Sequence, residues 1–337
     1  MLASICRRLL LPLLLGGLLF SPARADEAKF HLRCSLDTSA THGRTVFVTE
    51  YLKQLEQASG GRIETEMFHS GQLYRDRDIA KAMRQGAMEM AVPGTWELTG
   101  FVPDTDAVWL PMFFGRTPEE VHHLTDGPAG DMVNGEVEKA LNVKVIGTWF
   151  DLGHQNFYTL KKPIESAADL KGLKVRVAGG TAQFLHVRFY GAIPDMTAWP
   201  DVPLALSQGL FDGLTTTNES FASAKLWETG AKYGFMTHEN LGQYIPMVTE
   251  RFWNKLPPDL QKLVLDVWAK NNPRYREAMD QRQANARKTM EEHGVKLIDP
   301  TPQQLATIRA GMLEQTDEWA RQMKISAPLL ALLKQQQ

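Results

Sequence analysis

From Phe30 onward the chain switches repeatedly between two hydrophobic rhythms. Lys29–Ser35 alternates with period two, and so do Ile63, Thr65 and Met67 against Arg62, Glu64 and Glu66, which predicts half-buried strands. Between them His42–Ala58 carries Val46, Phe47, Tyr51, Leu52 and Leu55 at helical spacing, and Gly60-Gly61 stops that helix. Asp78–Gln85 reads as a short helix and Met88–Val92 as a buried strand. Thr117-Pro118-Glu119-Glu120 forms a capping box with proline at the first helical position. Val143–Trp149 reads as a further strand. After Gly153 the rhythm restarts: a strand at Leu173–Val177, helices at Thr181–Phe189 and Pro203–Gln208, a strand at Gly213–Thr216, then a helix through Ala224 and Trp227. Strands alternating with helices predict an α/β fold of sheets covered by helices.

One element breaks the pattern by its length. Asp259–His293 holds a helical pattern interrupted only by Pro273, where a kink is expected. At 1.5 Å per residue such a helix spans about 50 Å, enough to brace two lobes of a protein this size. A chain of 337 residues suits two lobes better than one core. The division that fits the pattern gives lobe one 26–152 and 241–280, and lobe two 153–240 and 281–337. Thr301-Pro302-Gln303-Gln304 opens a last amphipathic helix, and a disordered tail is expected at Gln335–Gln337.

The first 25 residues belong to a different class of segment. Arg7 and Arg8 precede an apolar run from Leu9 to Phe20, and Ala23-Arg24-Ala25 offers a small-residue cleavage site, so a secretory signal peptide with a mature chain from Asp26 is expected. Its removal takes away Arg7, Arg8 and Arg24. The 37 basic and 39 acidic residues of the whole chain then give a clearly acidic mature protein, without the basic patch that nucleic acid requires. Cys6 leaves with the leader, so Cys34 has no partner within the mature chain and reads as a buried, inert thiol. A soluble periplasmic protein fits these features.

Asp169-Leu170-Lys171-Gly172-Leu173-Lys174-Val175-Arg176 ends a short apolar strand on an arginine. A guanidinium is a planar fork of donors, always charged, that matches a carboxylate through two parallel hydrogen bonds. Arg176 is therefore either a clamp for an organic acid or half of a structural salt bridge. No H-E-x-x-H, G-x-S-x-G or P-loop is present to suggest catalysis. His122 and His123 are adjacent on a helix and point about 100° apart, so they read as solvated surface rather than as ligands of one metal.

Eight landmarks in order along nearly all the mature chain resemble the substrate-binding subunits of tripartite ATP-independent periplasmic (TRAP) transporters, the DctP-like family. They include Ser59-Gly60-Gly61-Arg62-Ile63, Ser70-Gly71-Gln72-Leu73, Leu110-Pro111-Met112-Phe113-Phe114, the Asp169–Arg176 block and Ala205–Gly213. The resemblance implies a two-lobed periplasmic binding protein, type II-like, with a long brace helix and an organic acid held in the cleft between lobes. By position, Arg176 matches the family's carboxylate clamp. Gln155 stands where many relatives carry a second arginine; it offers amide donors without charge, which argues against a simple dicarboxylate or for hydroxyl or keto groups there. Trp199 takes the place of an aromatic residue beneath the ligand, while core packing explains it as well. Trp96 could add pocket wall, with Trp149 a weaker candidate. Thr216 could bond ligand or cap a helix, and N-capping accounts well for Asn218. His42 lies in a loop that approaches the cleft in relatives, although capping by Thr41 also explains the segment. Some relatives hold a metal through a Glu-Trp segment that Leu214-Thr215-Thr216 lacks, so neither a metal nor another cofactor is expected. The partners implied are a small organic acid and the two membrane subunits of the transporter. A ligand sensor for a signalling receptor, or a periplasmic enzyme acting on small acids, would be the alternatives.

Overall fold

The computed structural model describes residues 29–335; the expected leader and cleavage site and the last two residues of the expected tail lie outside them. Thirteen strands are present among the described residues: β1 (Phe30–Ser35), β2 (Ile63–Phe68), β3 (Met90–Ala91), β4 (Val143–Val145), β5 (Phe150–His154), β6 (Asn156–Thr159), β7 (Lys174–Val177), β8 (Ile193–Met196), β9 (Gly213–Thr216), β10 (Tyr233–Phe235), β11 (Leu241–Tyr244), β12 (Met247–Thr249) and β13 (Lys296–Ile298). They form two sheets, ordered β2-β1-β3-β12-β4 and β13-β10-β6-β9-β7-β8, and a ribbon of β11 with β5. Each sheet centres one lobe of a two-lobed α/β fold. The chain leaves the first sheet through β5, builds most of the second, and returns through β11 to place β12 antiparallel between β3 and β4. The ribbon that joins the lobes carries a register shift at Gly242/Gln243, a local break in the ladder that eases bending.

The alternation read from sequence explains the first lobe. Leu32 and Cys34 of β1 are fully buried, and β1 runs parallel to β2 with Phe30 opposite Ile63. The helix Gly43–Ala58 turns Phe47, Val48, Tyr51, Leu52 and Leu55 inward, each such burial contributing roughly 1.5–3 kcal/mol. His42, not Thr41, caps this helix: its Nδ1 accepts from the Arg44 amide at 3.0 Å. The box at Thr117 forms in both directions with Glu120, and that at Thr301 with Gln304. Two strands are shorter than their apolar runs, Met90–Ala91 and Val143–Val145, although the flanking Met88, Val92 and Ile146 remain buried.

The brace is a single helix, Pro258–Glu292, of 35 residues. The helix continues through Pro273, the expected site of a kink. Its first half packs on Gly43–Ala58, where Tyr51 donates to the Val264 carbonyl at 3.1 Å and Phe47 stacks on Tyr275 at 5.2 Å. Further on it grips the entrance to the ribbon: Asn272 donates to the Trp149 carbonyl at 3.1 Å, Arg276 to the same oxygen at 2.8 Å, and Gln283 to the Leu152 carbonyl at 2.6 Å. The chain ends in three helices, Pro302–Leu313, Thr316–Met323 and Ala327–Gln335. Ahead of the last of these, Ser326 bonds Asp104 of the first lobe through its amide at 2.7 Å and its hydroxyl at 2.5 Å. Cys34 is a free buried thiol, and among the described residues no helix is long and apolar enough to cross a membrane.

Candidate ligand-binding site

β7 reads Lys-Val-Arg-Val, and Val175 and Val177 are buried in the core. Because side chains alternate, Arg176 projects to the opposite face, where it lines a cavity of about 80 Å³ between the two lobes. It is only 3% exposed. Its Nε and Nη2 both donate to one oxygen, the Thr197 carbonyl, at 2.9 and 2.7 Å. The guanidinium carbon lies 5.4 Å from the centre of the Trp199 ring. Burial lowers its pKa to about 10, with Glu97 and Asp37 pulling the other way, so it remains charged at neutral pH. No carboxylate among the described residues forms an ion pair with it. A buried charge in that state favours an anion.

Five other residues singled out from sequence share this cavity: Gln155, Trp199, Thr216, Trp96 and His42. Gln155 is 6% and Thr216 4% exposed, and neither side chain has a hydrogen-bond partner among the described residues, which leaves two neutral polar groups for a ligand. Trp96 packs edge-on against Trp109 at 5.9 Å and tilted on Tyr244 at 5.6 Å. Its position depends on Gly94: a Cβ there would fall 2.3 Å from Trp96 Cζ2. Gly94→Ala is therefore expected to displace the indole and, as overpacking, to cost about 1–3 kcal/mol; an unchanged urea midpoint would contradict this.

Asn218 lies outside the cleft. Its Oδ1 accepts from the Tyr158 hydroxyl at 2.5 Å and the Asn156 amide at 3.4 Å, beside a separate cavity on the brace-helix side. Nor does it cap its helix: Thr217 does, accepting from the Ser220 amide at 3.2 Å. Ser220, two residues on, faces the cleft instead. Trp149 is buried away from the cleft, donating to Asn134 Oδ1 at 2.8 Å. His122 is a partner rather than solvated surface, with Nε2 2.7 Å from Asp151 Oδ2.

His42 reaches across the lobes, its Nε2 2.9 Å from Ser220 Oγ and 3.1 Å from Glu219 Oε2. Since Nδ1 accepts the Arg44 amide, the ring proton sits on Nε2 and the imidazole donates toward the second lobe. Burial pushes its pKa down to about 4, so the ring is neutral.

Sequence reasoning missed the wall opposite Arg176. Arg44, fully buried, donates to Asp76 at 2.9 Å and Asp37 at 2.5 Å and lies 4.4 Å from the Tyr244 ring centre. Although burial opposes it, Asp76, Tyr244 and Asp37 hold the Arg44 pKa above the usual guanidinium value. Burial and the adjacent Asp76 push the Asp37 carboxyl well above the usual range. Burial, then Asp76 and Asp37, do the same to Glu97. Asp37-Thr38 directly after a parallel strand, at the usual ligand edge of such sheets, was the available signal. Among the described residues no cluster of three or more acidic, histidine or cysteine side chains could hold a metal.

The sequence pattern of the bacterial extracellular solute-binding proteins, family 7 (DctP), matches residues 37–322. Over 213 residues the chain is 27% identical to YiiZ, an uncharacterised protein of Salmonella typhimurium, covering 63% of this chain and 64% of that protein. Over 207 residues it is 28% identical to the C4-dicarboxylate-binding periplasmic protein DctP of Rhodobacter capsulatus, covering 61% of each. These alignments thus span under two thirds of the relatives' own length. A TRAP periplasmic solute-binding protein from Bradyrhizobium, solved in complex with D-galacturonate, superimposes with a TM-score of 0.81 at 27% identity, over 91% of this chain and 99% of that one. A two-sheet fold crossed by a long helix, with its cleft inside the matched stretch, accords with that likeness: the chain belongs to the bacterial extracellular solute-binding proteins of family 7.

Proposed function

We propose that this protein captures a small organic acid between its lobes in the periplasm and delivers it to the membrane subunits of a TRAP transporter, without turning it over. The observation that carries the reading is Arg176: a buried guanidinium, charged and without a carboxylate ion-pair partner among the described residues, in a cleft where Gln155 and Thr216 also keep unused polar groups. Relatives bearing the names of dicarboxylate and galacturonate binders point to the same chemical class. A signal peptide cleaved after Ala25 would deliver the mature chain, and the intact mass of the exported protein tests this.

Capture works by closure. Lobe one, 26–152 with 241–280, and lobe two, 153–240 with 281–337, move about the β5–β11 ribbon. Contacts that cross the cleft hold the closed form: Arg75 with Asp201 at 2.5 Å, Glu219 with the Gly43 amide at 2.8 Å, and Asp106 with the Ala182 amide at 3.1 Å. A ligand shifts the open–closed balance only by the amount it prefers the closed form. An acid that bonds Arg176 of lobe two while packing on Trp96 of lobe one meets that condition. The membrane subunits would then read the closed surface.

Thermal denaturation against a panel of organic acids tests the reading. An acid present at a hundred times its Kd stabilises the folded chain by about 2.7 kcal/mol, roughly 5 °C for a protein this size. If sugars or amines shift the transition and acids do not, the carboxylate reading is wrong.

A further inference from the structure

The cavity has few positive charges to offer a ligand. Asp37, Asp76 and Glu97 all line it, with Arg44 as the buried base among them. Arg44 is already divided between Asp37 and Asp76, so it has no charge to spare. Arg77, also on the wall, is exposed and sits 3.7 Å from Asp78. Gln155 and Thr216 are neutral. One buried guanidinium, Arg176, is thus left to balance whatever charge a ligand brings.

A single carboxylate satisfies that balance. A second would add a negative charge with no buried counterion left to meet it, and an uncompensated buried charge is strongly disfavoured. Resting on the carboxylate reading of the cleft, we propose that the site selects a monocarboxylate whose far end carries neutral hydroxyl or keto oxygens, and that it discriminates against dicarboxylates. Asp37 and Glu97 suit such a far end. Burial and neighbouring acids favour their protonated form, in which a carboxyl both donates and accepts hydrogen bonds. The Gln155 amide and the Thr216 hydroxyl add neutral partners. The specificity would therefore differ from that named for the Rhodobacter relative, although the fold is shared.

Matched pairs that differ only by exchange of one carboxylate for a carbinol test this by calorimetry on the mature chain: succinate with 4-hydroxybutanoate, glutarate with 5-hydroxypentanoate, galactarate with galactonate, phthalate with 2-(hydroxymethyl)benzoate. In every pair that binds, the monocarboxylate is expected to bind at least tenfold tighter, and Arg176→Met to abolish both. A dicarboxylate that outbinds its partner but still needs Arg176 overturns the selectivity and leaves the carboxylate reading standing. Binding that is indifferent to Arg176→Met, or no binding by any pair, overturns both.

Discussion

Arg176→Met is expected to lower the affinity for the bound acid about a thousandfold, and Arg176→Lys nearly as far. Removing one partner of a buried carboxylate–guanidinium pair costs about 3–5 kcal/mol, because the other charge stays buried and unpaired, and each 1.4 kcal/mol is roughly tenfold in Kd. Lysine keeps the charge but loses the planar fork that lets Nε and Nη2 share the Thr197 carbonyl while the rest of the group meets a carboxylate. Isothermal titration with the acid that gives the largest thermal shift measures both variants. The free proteins should fold normally, since methionine relieves a desolvated charge. A loss below tenfold in Arg176→Met would mean that the acid is held elsewhere.

The second large effect falls on stability. Arg44→Met is expected to destabilise the fold by about 3–5 kcal/mol, because it strands two carboxyl groups in the core of the first lobe. Asp37 and Asp76 lie 2.5 and 2.9 Å from Arg44, and both are almost fully buried. The origin of the loss can be read from a companion variant: adding Asp37→Asn to Arg44→Met removes one stranded acid and should restore a measurable part of it. Urea denaturation of the two variants gives the comparison. If Arg44→Met unfolds at the wild-type midpoint, the network is not what holds this corner of the lobe.

What was legible in the sequence was what local chemistry determines. The brace helix, read as Asp259–His293, is Pro258–Glu292, and β9 matches its reading of Gly213–Thr216. Both are announced within a few residues by periodicity and punctuation. The joining ribbon was not legible. β5 and β11 are buried on both faces, so they show no alternation, and the polar residues around them find partners far along the chain: Asn240 donates to the Val108 carbonyl at 2.9 Å and Gln243 to Asp151 at 3.0 Å. Polar residues of that kind read as loop until their partners are known.

The site divides the same way. Arg176 stood out because a strand of four residues leaves little doubt about which side chain alternates away from Val175 and Val177. Arg44 did not, because a charged residue in the first turn of a helix reads as solvated, and its acids stand seven positions earlier and thirty-two later. Ser220 rather than Asn218 faces the cleft, a difference of register that local sequence does not announce: in a helix of six residues, a shift of two positions moves a side chain from the cleft to the opposite cavity. His122 was misjudged for a related reason, since Asp151 reaches it from a strand that the pattern did not reveal.

A crystal structure of the mature protein grown with its tightest-binding acid decides the matter most directly. The ligand carboxylate is expected within about 2.7–2.9 Å of two Arg176 nitrogens, with its uncharged end toward Asp37 and Glu97. A ligand whose carboxylate sits apart from Arg176, with that side chain still bonded only to the Thr197 carbonyl, would show that the guanidinium serves the scaffold and that the acid is recognised by other means.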